Sequence, residues 1–158
     1  NPAMCYISVR PERYSYEIIK QEMQFTINLT TAEMARAVDW CGVKSGRDYD
    51  KWKEMKLTPV DGVAVSSPYI DEAPLCIECK VKEIRELGSH AMFIADVVAI
   101  NADEKYIDEK GAFDISKCDL ISYSNGGYYA MGKKLGKFGF SVQKKKLKSK
   151  RNTCFSAD

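Results

Sequence analysis

Two apolar segments joined by a glycine turn, "PLCIECKVKEI" (74–84) and "SHAMFIADVVAI" (89–100), constrain the fold of this chain more than any other feature. The first alternates. Leu75, Ile77, Cys79 and Val81 fall on one face and Cys76, Glu78, Lys80 and Lys82 on the other, the period of a half-exposed strand. The second is apolar on both faces until Asp96, as in a strand lying inside a barrel or under a subunit partner. A turn near Gly88 pairs the two into a long hairpin.

The segments before this hairpin mix strands and helices. "MCYISVR" (4–10) reads as a strand that Pro11 ends, and "FTINL" (25–29) as a second strand. Between them "SYEIIKQEM" (15–23) reads as a short helix with Ser15 as N-cap and Glu17 in its first turn. "TTAEMARAVDWCG" (30–42) carries Thr30 and Glu33 at capping-box spacing and Gly42 as a stop. "RDYDKWKEM" (47–55) predicts one more helix, capped by Asp48. After the hairpin come a polar stretch (101–117) and short strands at 119–123 and 128–132 around the turn "SNGG". With no internal repeat and no βαβ alternation, the expected class is β-rich α+β, an antiparallel β-barrel or sandwich with peripheral helices.

At 158 residues and 45% hydrophobic composition, one sizeable core is affordable, and a single domain is expected over 1–143. No run nears the roughly 20 apolar residues of a membrane span, and no charged start leads into a signal segment, so a soluble, cytoplasmic protein without membrane contact is expected. The net charge of +2 hides an asymmetry. "KKKLKSKR" (144–151) holds six of the 24 cations, which leaves the preceding part mildly acidic and marks 144–158 as a basic, disordered tail. The body is therefore no nucleic-acid binder by composition, although a barrel binding nucleic acid through the tail is an alternative in which aromatic interleaving is poor. The six cysteines (Cys5, Cys41, Cys76, Cys79, Cys118, Cys154) are scattered, which favours reduced thiols over a disulfide framework.

Of the candidate sites, "CIEC" (76–79) has C-x-x-C spacing, but on a strand its two thiols point to opposite faces and no second ligand pair follows. One core thiol, one surface thiol and no metal are expected. The single histidine, His90, has no G-x-S-x-G elbow to serve, and neither a Rossmann G-x-G-x-x-G nor a P-loop is present. Two segments are built for an anion. "VRPERYSYE" (9–17) sets Arg10 and Arg13 beside a helix start where free N–H groups and the dipole favour a phosphate, with Ser15 as a further donor. "GVKSGRDYDK" (42–51) does the same with Lys44, Arg47 and Lys51 around a turn at Ser45.

"NPAMCYISVRPERYSYEIIKQEMQFTINL", "VDWCGVKSGRDYDKW", "APLCIECKVKEIRELGSHAMFIADVVAI" and "YYAMGKKLGKFGFSV", in this order, resemble the flavin reductase-like family, and within it the flavoredoxin branch. The resemblance implies an FMN-binding split β-barrel of Greek-key type that works as a homodimer, with the flavin near the subunit interface. Matched position by position, it implies that Ser15 meets the FMN phosphate or ribityl chain, that Lys51 and His90 share the flavin site, and that Tyr128 or Tyr129 lies close to the isoalloxazine. Arg10, Arg13, Ser45 and Arg47 join this set on the electrostatic argument alone. Family members usually carry some tens of residues before the "NP" of Asn1-Pro2, so the first barrel strands are expected upstream. The activity implied is transfer of electrons from NADH or NADPH through FMN to a partner protein or small acceptor, with no side chain needed as an acid-base catalyst. An FMN-holding electron carrier without turnover is the alternative.

Overall fold

The computed structural model describes residues 2–143; the basic tail at 144–158 lies outside them. Four strands form the main antiparallel sheet in the order β1 (Met4–Val9), β6 (Ala91–Ala102), β5 (Leu75–Glu86), β2 (Gln24–Asn28). The expected hairpin is its centre. β5 and β6 pair from Leu75↔Ala102 to Glu86↔Ala91, with register shifts at Glu78/Cys79 and Val81/Glu83, and Gly88 takes the positive φ that the turn demands. β6 is hydrogen-bonded on both edges, and it buries Ala91, Phe93 and Ala95 while Val98 and Ile100 stay exposed.

One face of this sheet holds the core. Phe25, Cys79, Ala91, Phe93 and Ala95 are buried there, and the first helix, α1 (Tyr14–Glu22), closes over them through Tyr16 and Ile19. The rings of Tyr16 and Phe93 meet edge to face at 5.5 Å. The outer face is covered differently. Gln24, Thr26 and Asn28 of β2 share it with Cys76 and Glu78, and their side chains grip the segment that crosses above: Gln24 accepts from Ser66 N–H, Thr26 donates to the Pro68 carbonyl, and Asn28 accepts from Ile70 N–H. The short pair β3 (Pro59–Val60) and β4 (Tyr69–Ile70) brackets this segment.

That cover corrects the expectation for the C-x-x-C pair. Cys76 does face away from Cys79, but the crossing segment buries it, so both thiols are inside. Desolvation pushes Cys76 up to about 11 and Cys79 up to about 12, the latter also raised by the Cys5 thiol 3.4 Å away. All the cysteines among the described residues are free. The crossing segment also depends on Gly62, where an added Cβ would lie 2.4 Å from the Val65 carbonyl oxygen and 3.1 Å from the Glu78 carboxylate. Gly62→Ala is expected to cost about 2–3 kcal/mol in urea denaturation, because the obstacle is backbone that cannot rotate away.

The second and third helices start later than their sequence signals. The second, α2 (Ala35–Val43), begins beyond the expected Thr30–Glu33 box: Thr30 accepts from Ile121 N–H and Thr31 bridges Leu120, so strand pairing takes these residues first. The third, α3 (Lys51–Met55), is capped by Asp50 rather than Asp48; the Asp50 carboxylate accepts from Trp52 and Lys53 N–H. A second hairpin, β7 (Ile121–Ser124) and β8 (Gly127–Ala130), turns on Asn125-Gly126, both at positive φ as a two-residue turn requires. Among the described residues no helix is long and apolar enough to cross a membrane.

Candidate anion-binding cleft

The chain leaves β1 through a tight turn at Pro11, in which Arg13 N–H donates to the Arg10 carbonyl. Arg13, in extended conformation, is then the residue before α1, and it offers the helix no side-chain cap. Ser15 therefore sits inside the first turn instead of capping it, a shift of two residues imposed by the Pro11 turn. Its hydroxyl and the first helical N–H groups stay available beside the positive end of the helix.

Opposite this helix start, α2 ends and the chain loops through Lys44, Ser45 and Gly46 into α3. A cleft of about 710 Å³ lies between the two walls, within the range of small-ligand sites. Arg13 and Ser15 face it from one wall, and Lys44, Ser45 and Lys51 from the other. Lys51 is fixed by a 2.6 Å hydrogen bond from Nζ to the Cys41 carbonyl in the last turn of α2, where a cation is favoured. Two carboxylates share the cleft, and both are engaged. Asp50 is consumed as the α3 cap, and Glu12 is paired with Arg10 at 2.6 Å. The backbone first, then Arg10 and Arg13, hold Glu12 below its ordinary range. Three cations against two occupied carboxylates make the cleft suited to an anion.

The structure brings five of the sequence-derived residues together here: Arg13, Ser15, Lys44, Ser45 and Lys51. Arg10 and Arg47 are outside the lining and carry protein partners, Glu12 at 2.6 Å and Glu17 at 2.8 Å. His90, expected at the same pocket as Lys51, is at the tip of the β5–β6 hairpin and does not line the cleft. The last ladder pair, Glu86↔Ala91, leaves it in the turn, and continuing the Val9↔Ala91 register sets it beside Arg10. Ser89 Oγ lies 2.9 Å from its Nδ1. Tyr128 and Tyr129 are also outside the cleft, on β8. Tyr128 is pushed up by desolvation and by Asp39 of α2, and its ring meets that of Tyr123 at 5.0 Å with a tilt of 58°.

Tyr14, Cys41 and Trp52 are among the lining residues that escaped the sequence reading. Trp52 adjoins Lys51 in "DYDKW" and could have been found from that neighbour. Cys41 carried no signal, since only the position of the α2 terminus brings it here. Burial raises the Cys41 thiol, and Lys51 opposes that shift without cancelling it.

The flavin reductase like domain matches residues 1–132 of this chain. The chain belongs to that family. The solved flavoredoxin of Desulfovibrio vulgaris (Miyazaki F) superposes with a TM-score of 0.83 at 32% identity, over 90% of this chain and 77% of its own. An FMN-binding protein from Thermus thermophilus with bound 1-cyclohex-2-enone superposes at 0.69 with 26% identity, over 82% and 70%. An uncharacterised protein of Pyrococcus abyssi is 33% identical over 66% of this chain. The chain spans about three fifths of the length of that relative. The family fold is the antiparallel split β-barrel expected from the sequence, and the curled sheet β1-β6-β5-β2 is its half-barrel.

Proposed function

We propose that this chain binds FMN, with the flavin phosphate in the cleft between α1 and the 41–52 segment, and that it passes electrons from NADH or NADPH to a protein or small acceptor. The observation that carries the reading is the uncapped start of α1. A helix end with open N–H groups, a spare serine hydroxyl and cations on both walls is the donor set a phosphate dianion needs, so the residues present fit the group. The family membership and the FMN-binding relative from Thermus thermophilus support the flavin as the molecule that brings the phosphate.

Bound FMN would supply the hydride and electron chemistry. Arg13 and Lys44 balance the phosphate charge, Ser15 and Ser45 orient it, and Lys51 keeps a fixed positive charge at the cleft. His90, Tyr128 and Tyr129 are proposed for the ring end, at a homodimer interface. Large apolar side chains left exposed near β1, β6 and the segment after β8 support that dimer: Tyr6 is 63% exposed, Ile100 60% and Phe138 fully so. Arg10 is assigned to pairing with Glu12, so that this carboxylate of the cleft lining is neutralised.

A fluorescence titration with FMN decides the cofactor: saturable quenching with a micromolar or tighter dissociation constant is expected, and no binding ends the reading. Mixing the loaded protein anaerobically with NADH or NADPH then separates reductase from carrier. Rapid bleaching of the oxidised-flavin absorption band is expected here, and a flavin that stays oxidised assigns the carrier role.

A further inference from the structure

We infer that Tyr14, Glu17 and Arg47 form a latch that holds the two walls of the cleft together, so that Arg47 acts on the bound anion as a positioning residue and not by contact. The inference rests on the cleft being the phosphate site. Tyr14 and Glu17 are three apart on α1 and therefore on one helical face. Arg47 comes from the other wall. Its guanidinium stacks over the Tyr14 ring, 4.7 Å from the centroid, and its Nη2 reaches the Glu17 carboxylate at 2.8 Å. The Arg47 backbone is held in turn by its N–H donating to Ser45 Oγ at 3.1 Å.

The backbone is shaped to the same contact. A Cβ at Gly46 would sit 3.3 Å from Tyr14 Cδ1 and 3.9 Å from Lys51 Cε, so the bare glycine lets the ring lie against the loop that carries Ser45 and Lys51. A phosphate touched from both walls binds well only if their separation is set in advance, and the latch is what bridges Arg13 and Ser15 to Ser45 and Lys51. Arg47 itself is committed: serving as a direct ligand would mean giving up both the carboxylate and the ring.

The two roles predict opposite results for Glu17→Gln. An Arg47 freed to bind phosphate would tighten FMN, whereas a broken latch weakens it. About fivefold weaker FMN binding is expected for Glu17→Gln, Arg47→Lys and Tyr14→Leu alike, with Tyr14→Phe as wild type because the ring is kept and with riboflavin, which has no phosphate, unaffected. A second readout needs no flavin: alkylation of Cys41 by iodoacetamide, followed on its own peptide by mass spectrometry. Opening the walls should speed it by about the same factor in the three latch variants and not in Tyr14→Phe. If wild-type protein binds no FMN, the phosphate reading fails and the Cys41 rates still decide the latch. Tighter FMN binding in Glu17→Gln, or Cys41 rates equal to wild type in all three variants, overturns it.

Discussion

Replacing Glu78 by alanine should lower the unfolding free energy by about 3–5 kcal/mol, enough to unfold a marginal domain. The carboxylate is fully buried, yet it carries its charge among donors. One oxygen accepts from Val63 N–H at 2.8 Å and from the Asn101 amide at 2.6 Å, the other from Ala64 N–H at 2.7 Å and Val65 N–H at 3.0 Å. Deletion would leave three backbone donors and one amide without their acceptor, Val65 N–H among them in a buried position, and an unmet buried donor costs more than its bond contributed. Glu78→Gln keeps the volume but turns an NH2 toward N–H groups, and about 2–3 kcal/mol is expected from it.

Acid should produce part of the same loss in the wild type. Burial would raise the Glu78 pKa, but the N–H groups of Val63 and Ala64, the Asn101 amide and Val65 N–H outweigh it and hold the carboxyl below its ordinary value of 4.5. The unfolded chain then binds the proton more readily than the folded one. The contribution is therefore complete above about pH 4.5 and is lost as pH falls through the lower, folded value. Urea denaturation from pH 7 down to pH 3 should show the gap between wild type and Glu78→Gln narrowing below pH 4.5. A gap independent of pH, or an alanine variant as stable as wild type, would remove the carboxylate from this role.

Glu78 also marks where sequence reading reached its limit. Its alternation with Cys79 was legible and placed it on the right face, because a strand period depends on local geometry alone. That the face is buried was not legible, since the burying segment is irregular and is fixed by Gln24, Thr26 and Asn28, ordinary polar residues in any strand pattern. The same division holds at the cleft. Local signals picked out both segments that wall the cleft, and Lys51 lines it from one of them. The partners of Arg10 and Arg47 depend on the pitch of a turn and on a contact between α1 and a loop some thirty residues on, which no spacing rule encodes. His90 shows the reverse case: an ordered resemblance put it near Lys51, whereas the hairpin tip sets it beside Arg10 and outside the cleft lining.

Under the proposed function, Lys51→Ala should weaken FMN by about 10- to 100-fold while costing the fold less than about 1 kcal/mol. The ammonium spends one of its three donors on the Cys41 carbonyl, a single hydrogen bond at a half-buried position, so its removal is a small structural loss. The same bond pins the charge at the cleft, and a pinned cation gives more to a phosphate than a free one because less side-chain freedom remains to be lost. Lys51→Met keeps the stem against Gly46 and removes the charge alone; it should match alanine if the charge matters and wild type if the stem does. Riboflavin affinity should not change in either variant, and the FMN loss should shrink as salt is raised, because screening weakens the wild-type attraction. An unchanged FMN dissociation constant in both variants would take Lys51 out of the site, and with it the assignment of this cleft to the phosphate.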